Sequence, residues 1–317
     1  MKTKLSFLIA FFFLLGSTAF AQSSSFRVLA AKGNNTKGSE ALRIGTTLSP
    51  NDQITLADGS YLGLLHSSGQ TLEIREKGTF KVSDLEGRLK KGNADLTGRY
   101  AQYVVSEVAK GEEAAGAHRH MGKTGAVERA GKSAIMSVMP RSLSLAGDQT
   151  VVSWFVLEEV AKIKEEDVDK YLVTVTDMYN NVLFTEETAE PNFVIDLTDP
   201  RYKGERSVLY QISVMEEGKE SIKSEPNNIK RVNAKEAKKY VTEADQIGDN
   251  SALGYLIKAQ YFEEKQLLAD AVAAYHKAMS LEPDVETYKI LYEGFLDRNK
   301  MTKNSILDAM ASNKEGY

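Results

Sequence analysis

The feature that most constrains the fold of this chain is a change of hydrophobic pattern at Asn233. Before this residue, short apolar runs are separated by turn residues, as in "DQITLADGSYLGLL", where apolar and polar side chains roughly alternate. A period of two is typical of β-strands. After Asn233 the apolar residues recur every three or four positions, which predicts amphipathic helices. The sequence therefore predicts a multidomain α+β protein, with β domains first and helices last.

The first residues, "MKTKLSFLIAFFFLLGSTAFAQ", have the organisation of a secretory signal peptide. Two lysines precede an apolar run at 5–15, and a small-x-small cleavage sequence ends at Ala21. The run is shorter than the roughly 20 residues that a membrane-spanning helix needs, and no later segment is long and apolar enough to span a bilayer. We expect residues 1–21 to be removed and the mature protein to be soluble, exported and most simply periplasmic.

The composition narrows the function classes further. The chain has no cysteine, so we expect neither disulfides, nor a Cys-based metal site, nor the lipid-modified Cys of a bacterial lipoprotein. Loss of Lys2 and Lys4 lowers the 40 basic residues to 38, against 44 acidic ones, for a mature net charge of about −6. No basic field predicts nucleic-acid binding. The mature length predicts two or three domains.

Residues 26–90 form the first predicted domain, which is all-β. The turn dipeptides Asp58-Gly59 and Ser68-Gly69 separate short strands. The run "TLSPNDQITLADGSYLGLLHSSGQTLEIREKGTFKV", with an opening strand at 26–31, resembles the FecR-like periplasmic domain. FecR proteins that regulate iron uptake also have a transmembrane helix and a cytoplasmic sigma-regulating segment. Neither is predicted here, so the resemblance does not imply signalling across the inner membrane.

Residues 93–140 are predicted to be a helix followed by a flexible linker. In "NADLTGRYAQYVVSEVAK", Asn93 is a plausible N-cap, and five apolar side chains have helical spacing: Leu96, Tyr100, Tyr103, Val104 and Val108. The stretch 111–140 is rich in Gly, Ala, Lys and Glu and has almost no large apolar residue before Ile135, which is typical of a linker.

Residues 141–232 have a second β pattern, with runs such as "TVVSWFVLEEV", "KYLVTVTDMYNNVLFTEET" and "SVLYQISVMEEG". Asn180-Asn181 predicts a hairpin turn, because Asn tolerates positive φ. The order of strands resembles a fibronectin type III or immunoglobulin-like sandwich. The resemblance implies that Trp154 lies on an early inner-facing strand and that Tyr210 is a corner tyrosine bonded to upstream backbone. It implies a fold and no chemistry.

Residues 234–317 are predicted to be helical. In "SALGYLIKAQYFEEKQLLADAVAAYHKAMSLEPD" the spacing resembles a tetratricopeptide repeat, a helix-turn-helix unit of 34 residues. The matching positions are Tyr255, Ala259, Phe262, Ala271, Tyr275, Ala278 and Pro283. Further helices are predicted at 234–247, 284–298 and 302–310. Since such repeats usually need about three copies, we expect a short array that is capped or docked on the sandwich. Lys258 and Glu263 are the residues expected to contact a partner on its concave face.

A phosphate-loop pattern occurs twice in "AHRHMGKTGAVERAGKS", ending at Thr124 and at Ser133. A working phosphate loop needs a buried strand before the Gly-rich turn and a helix after it. The preceding "KGEEAAGAHRH" is not a strand, and only "AIMSVM" separates Ser133 from Pro140. The sequence therefore favours a linker over a nucleotide site.

The other residues that could bind a metal or take part in catalysis also have structural explanations. His118 and His120 form a His-x-His in the linker and favour an adventitious surface metal site over a functional one. His66 and His276 have no other candidate catalytic or ligating residue near them in the sequence, so we expect each to be structural or solvated rather than catalytic. The acidic run at 165–170, "EEDVDK", lacks the Gly and terminal Glu of a calcium loop and predicts a solvated connection. No Gly-x-Ser-x-Gly elbow occurs. We predict no catalytic, cofactor-binding or metal-binding residue, and no cofactor.

These observations favour a non-enzymatic envelope protein that acts as a protein-protein interaction or scaffold module in the periplasm. Its expected partner is an envelope protein or peptide, captured by the helical groove. Two alternatives remain open from the sequence. One is an accessory factor that binds cell-wall or envelope polysaccharide, and the other is a nucleotide- or metal-dependent enzyme, which is the less favoured.

Overall fold

The computed structural model describes residues 25–89, 98–100, 102–107, 133–216 and 219–314. Within these residues the protein is mixed α+β, with sheets in the N-terminal and middle parts and helices in the C-terminal part. The change from strands to helices falls at Asn233, which caps the first of the C-terminal helices. The predicted α+β class is therefore confirmed.

The N-terminal β unit, residues 25–89, contains two antiparallel four-stranded sheets with the orders β4-β1-β6-β7 and β3-β2-β5-β8. The apolar residues of both sheets meet in one core, where Ile54 and Leu56 contact the layer of Leu62 and Leu64. The strands are β1 (Phe26–Lys32), β2 (Asn35–Lys37), β3 (Glu40–Ala41), β4 (Thr47–Leu48), β5 (Gln53–Leu56), β6 (Tyr61–His66), β7 (Thr71–Ile74) and β8 (Gly78–Lys81), followed by the one-turn helix α1 (Val82–Leu85).

Strand β6 is buried on both of its faces. Leu62 and Leu64 point into the core of the N-terminal β unit, whereas Tyr61 and Leu65 belong to a second, larger core that continues into the rest of the protein. Successive side chains of a strand point to opposite faces. The first sheet is therefore covered on one side by its partner sheet and on the other by the C-terminal helices.

The predicted helix after this unit is present as α2, which comprises residues 98–100 and 102–107. Tyr100 and Val104 are buried and Tyr103 is partly exposed. Asn93, the predicted N-cap, lies outside the described residues. The linker predicted for 111–140 does not extend through its last residues, because Ile135–Ser137 form the strand β9, which pairs with an inner strand of the next unit. Residues 108–132 lie outside the described residues.

The middle β unit, residues 133–216 and 219–232, contains one sheet of order β10-β17-β15-β12-β13, with β16 paired to β15, and a second of order β14-β11-β9. The pairing of β10 with β17 is parallel and the other pairings are antiparallel. Its elements are β9, β10 (Ser142–Leu145), β11 (Gln149–Val156), the one-turn helix α3 (Glu158–Ala161), β12 (Lys170–Thr176), β13 (Val182–Thr188), β14 (Asn192–Asp196), β15 (Ser207–Glu216), β16 (Lys219–Lys223) and β17 (Asn227–Arg231).

The two sheets of the middle β unit share a core. Trp154 of β11 contacts Tyr171 of β12 edge to face, with ring centroids 5.3 Å apart. The hydroxyl of Tyr210 on β15 lies 3.1 Å from the hydroxyl of Ser137 on β9, which again joins the two sheets. The predicted turn between β12 and β13 is confirmed: Asn180 has a φ of 65°. The Asp177 carboxylate accepts the backbone N–H of Asn181 and fixes that turn.

The C-terminal helical unit consists of five helices: α4 (Ala234–Ile247), α5 (Ala252–Glu264), α6 (Leu268–Leu281), α7 (Glu286–Arg298) and α8 (Lys303–Lys314). Two of them begin at capped positions, because Asn233 accepts the N–H of Glu236 and Ser251 accepts the N–H of Gly254. Helices α5 and α6 form a closely packed antiparallel pair. Across the described residues, no helix has the length and apolar content that crossing a membrane requires.

One apolar core joins all of these parts. It contains Leu29 and Tyr61 of the N-terminal β unit, Val104 of α2, Trp154 of the middle β unit and Leu253 of α5. Helix α6 packs against β10 and β11, helix α7 against β1, and helix α5 against β7. The helices therefore lie between the two β units and contact both.

Candidate interaction surfaces

The repeat-like positions of the helical unit lie where two packed helices need them. Small residues on the two helices, Ala259, Ala271 and Ala278, are fully buried, which lets α5 and α6 approach closely. Tyr275 is also fully buried, Phe262 is nearly so, and Tyr255 is partly exposed. Pro283 follows the end of α6 at Leu281. This arrangement accounts for the aromatics of the repeat positions as packing residues.

Lys258, expected on an exposed concave face, is instead buried, with 5 % of the residue exposed. Its ammonium lies 2.8 Å from the Asp245 carboxylate of α4 and over the ring of Tyr255. A buried ammonium needs such a partner. The expected exposure of Lys258 is corrected here: helix α4 covers this face of α5.

Glu263, the second expected contact residue, is also engaged within the chain. Its carboxylate accepts two hydrogen bonds from the Arg298 guanidinium of α7, at 3.1 and 2.9 Å, and a third from Asn299. Arg298 also donates to Glu107 of α2 at 2.5 Å. Burial lowers the pKa of Arg298, but the hydrogen bonds and charge of Glu263 outweigh it and hold that pKa above its usual range. Glu263 therefore holds α7 against α5, and Arg298 in turn holds α2. Lys258 and Glu263 are both engaged within the chain, so a partner surface on the helices stays a prediction that does not include them.

A second polar cluster joins the N-terminal β unit to the helices. The Glu73 carboxylate of β7 accepts the hydroxyl of Tyr61 at 2.8 Å and the backbone N–H of Leu253, in the first turn of α5, at 2.7 Å. Its other oxygen lies 2.5 Å from the Arg75 guanidinium, a charge contact without aligned hydrogen-bond geometry. Since the Tyr61 hydroxyl is already the hydrogen-bond donor to Glu73, the Tyr288 hydroxyl of α7 donates the hydrogen bond to Tyr61, with the oxygens 2.6 Å apart. Glu73 thus completes the N-terminus of a helix from another part of the chain.

A third contact joins the middle β unit to α6 through Asp270, which is 4 % exposed. Its two oxygens accept the backbone N–H groups of Ala146 at 2.9 Å and Gly147 at 2.5 Å. Nearby, the Thr150 hydroxyl donates to the carbonyl of Ala269 at 2.9 Å. Burial raises the pKa of Asp270 to about 6, although the two N–H groups act in the opposite direction. Gly147 fits here because a Cβ would lie 2.9 Å from the Asp270 carboxylate.

On the other side of the middle β unit lies an open groove of about 370 Å³ between β13 and β14. Each of these strands is the last in its sheet among the described residues. The floor is apolar: Phe184 of β13 packs edge to face on Tyr202, and Phe193 and Val194 of β14 line the facing wall. Val194 is 53 % exposed. The groove is therefore bordered by two strand edges and floored by aromatic and aliphatic side chains.

The rim of this groove is acidic. Four carboxylates line it, against one guanidinium, that of Arg201. Arg201 lies over the Phe184 ring at 3.8 Å and is paired with Asp199 at 2.7 Å, which holds the pKa of Asp199 below its usual value. A hydrogen bond from Thr198 likewise lowers the pKa of Asp196. The other two carboxylates, those of Glu186 and Glu190, are exposed.

The residues that could have supplied chemistry have varied outcomes. His118 and His120, Thr124 and most of the two phosphate-loop patterns lie outside the described residues. Ser133, the last residue of the second pattern, is buried and donates its hydroxyl to the carbonyl of Ile135. His276 is largely buried beside Tyr292, and this burial lowers its pKa.

Two further candidates have structural surroundings. His66 forms a hydrogen bond with the Ser68 hydroxyl in the turn after β6. The predicted loop at 165–170 connects α3 to β12, and its Glu165 pairs with Lys303 of α8. In the ranges that the structure describes, no group of three or more His, Asp or Glu side chains is placed to hold a metal ion.

Comparison with known proteins gives no family for the chain: no protein-family model matches it, and no curated protein is significantly similar to it.

Proposed function

We propose that this chain is an exported, non-enzymatic interaction or scaffold protein of the bacterial periplasm. The observation that carries the proposal is the core shared by the N-terminal β unit, the middle β unit and the helices. Separate domains on a flexible tether would each have a core of their own. A fused assembly instead presents several surfaces in a fixed relative position, which is what a scaffold requires.

The proposal includes three module types, each with its own support. Two small facing sheets at residues 25–89 support a FecR-like unit. Two facing sheets in which adjacent strands are not consecutive in sequence, with Trp154 packed between the sheets, support an immunoglobulin-like or fibronectin-like sandwich. The close α5–α6 pair with buried alanines supports a tetratricopeptide-like helix pair.

Polar contacts between the units support the fixed arrangement. Glu73 ties β7 to α5, Asp270 ties the turn after β10 to α6, and Arg298 ties α7 to α2. Groups of this kind are costly to bury unless all of them are paired. Their pairing across different parts of the chain favours a single relative orientation of those parts.

Site-directed photo-crosslinking in intact envelopes tests the proposal. The crosslinking residue replaces Val194 on the middle β unit or Ile290 on α7, which are 53 % and 42 % exposed, or Leu253, which is buried, as the control. We expect discrete crosslinked proteins from at least one exposed position and none from Leu253. Absence of any protein crosslink, with sedimentation of the mature protein on purified cell wall, overturns the proposal in favour of polysaccharide binding.

Export is tested separately by the mass of the N-terminal peptide. We expect the protein recovered from the periplasm to begin at Gln22. Recovery from the cytoplasm with residues 1–21 attached contradicts export, whatever the crosslinking result.

A further inference from the structure

We propose that the groove between β13 and β14 binds an extended, basic segment of another protein, which adds to β13 as a further strand. The proposal deepens the interaction role proposed above and rests on it, because it names the surface and the kind of partner.

The first argument is the asymmetry of the edges of the middle β unit. The opposite edge of the larger sheet, β10, packs against α6. Strand β9 of the smaller sheet places Met136 in an apolar cluster with Ile306 of α8. At the other end β13 pairs with β12 alone and β14 pairs with β11 alone, within the described part of the chain. Unpaired backbone N–H and C=O groups at a strand edge are a template for another strand.

The second argument is the shape of the groove. A short turn at Pro200–Tyr202 packs beside β13 and places Tyr202 under the groove, so that the space between the two strands is floored rather than open to the core. Phe184 and Val194 provide apolar contacts on the two sides. Strand β13 has seven residues. A strand of equal length can pair along all of it while every second side chain enters the groove.

The third argument is charge. The groove is lined by Glu186, Glu190, Asp196 and Asp199 against Arg201 alone. Arg201 is engaged with Asp199 and lies within 3.5 Å of Glu186. Glu190 is exposed, and its carboxylate has no ion-pair or hydrogen-bond partner among the described residues. The remaining negative potential favours Lys or Arg in the bound segment. The same potential disfavours an acidic segment and an anionic lipid surface.

The chemistry of the occupant follows from these three points. It is an extended segment in which basic residues alternate with small aliphatic ones, such as Lys-Val repeats. Its basic side chains enter the groove, where their aliphatic stems contact Phe184 and Val194 and their charged ends reach the acidic rim, while its backbone pairs with β13. Binding is expected to weaken as salt is added, because the rim charges are exposed.

The test uses the purified mature protein and three fluorescent seven-residue peptides. The first is KVKVKVK, the second is EVEVEVE, and the third is KVKVKVK with every second backbone nitrogen methylated on the edge that faces the protein. We expect the first to bind with saturation and to slow hydrogen exchange of amides in Val182–Thr188. We expect no measurable binding of the other two.

Charge reversal at the rim supplies the matched pair of variants. Glu190→Lys is expected to weaken binding of KVKVKVK roughly tenfold, since it turns an exposed attraction into a repulsion. Glu159→Lys, an exposed change of equal charge on α3, is expected to leave the affinity unchanged. Both positions are exposed, so neither variant is expected to unfold the protein.

The proposal is overturned if the acidic peptide binds as well as the basic one, if the methylated peptide binds as well as the unmethylated one, or if Glu190→Lys and Glu159→Lys have equal effects. Binding with protection confined to the helices also overturns it. The crosslinking experiment distinguishes its failure from failure of the scaffold proposal. Discrete partners crosslinked from Ile290 but not from Val194 leave the scaffold proposal standing and reject the groove.

Discussion

Replacing Asp270 by Asn tests whether the contact between the middle β unit and α6 depends on a buried ionisable group. The replacement keeps the size of the side chain but removes its titration. Burial raises the pKa of Asp270 from 3.8 to about 6. The folded protein therefore holds a proton on this carboxyl up to about pH 6, whereas the unfolded chain releases it about two units lower.

The sign and the size of the effect follow from that difference. Between about pH 4 and pH 6 the folded state binds more protons than the unfolded state, so the contribution of Asp270 to stability falls as the pH rises. It is fully present below the unfolded pKa and lost above the folded one. A shift of about two pKa units corresponds to about 3 kcal/mol.

The assay is urea unfolding followed by the fluorescence of Trp154, the one tryptophan of the chain, which is buried in the middle β unit. The free energy of unfolding is measured for the wild type and for Asp270→Asn from pH 4 to pH 7. We expect the difference, wild type minus variant, to increase by about 2 kcal/mol from pH 7 to pH 4, because the full value of about 3 kcal/mol is reached only below the unfolded pKa. The Thr150→Val variant is the control, because it removes a hydrogen bond from the same interface without removing a carboxyl.

The slope of this difference, rather than its value at pH 7, is the informative quantity. At pH 7 the Asn side chain has one acceptor for the two N–H groups of Ala146 and Gly147, which costs about 1–3 kcal/mol. Loss of the buried charge offsets this cost by a similar amount. A difference that is flat with pH shows that the two N–H groups offset burial, and one that decreases towards pH 4 shows that they dominate; either result refutes the argument from burial.

Three further predictions concern contacts within the chain. Glu73→Gln is expected to destabilise the protein by about 1–3 kcal/mol and to speed hydrogen exchange in the first turn of α5, because the carboxylate that pairs with Tyr61, Arg75 and the N–H of Leu253 is lost. Glu76→Gln, at an exposed residue, is the control, and equal effects of the two variants would contradict a structural role for Glu73. Arg298→Lys is expected to lower the melting temperature and to expose α2 to exchange, because Lys cannot reproduce the paired contacts to one carboxylate; unchanged exchange in α2 would count against the prediction. Asn180→Val is expected to cost about 1–2 kcal/mol because of its φ of 65°, and Asn180→Gly close to nothing; equal thermal stability of the two variants would exclude a conformational cause.

The sequence predicts the local features of this fold well. The hairpin at Asn180 depends on a residue that tolerates positive φ, and the pairing of α5 with α6 depends on small residues at fixed spacing. Both are decided within a few residues along the chain. The start of the helical part at Asn233 is also local, since its side chain caps α4.

Exposure is less predictable, because it depends on which elements arrive from elsewhere. Lys258 and Glu263 have the charge expected of surface residues, and only the positions of α4 and α7 reveal that both are paired. A signal was present: "ALGYLIKAQYF" is apolar around most of the helix, which indicates a helix covered on several sides. The run "YLGLL" in β6 is likewise nearly continuous and indicates a strand with both faces buried.

The acidic groove could not be derived from sequence. Glu186 and Asp199 lie on different elements, and each reads as an ordinary surface charge. Only the fold brings them together beside two strands that end their sheets. The strand β9 was missed for a different reason: three residues, Ile135–Ser137, are too few to show a period in a segment otherwise rich in small and charged residues.

The helical unit itself argues for placing the partner on the middle β unit. A pair of repeat helices has two faces to cover, and in a longer array the neighbouring repeats cover them. Here α4 covers Lys258, α7 and α2 hold Glu263, the N-terminal β unit meets the start of α5 through Glu73, and β10 and β11 pack against α6. The surfaces that a repeat array offers to a ligand are occupied by the protein's own elements, so the helices serve to hold the two β units together. A partner must then bind a surface that the helices leave uncovered. Among the described residues, the edge formed by β13 and β14 combines unpaired strand edges, an apolar floor and uncompensated negative charge.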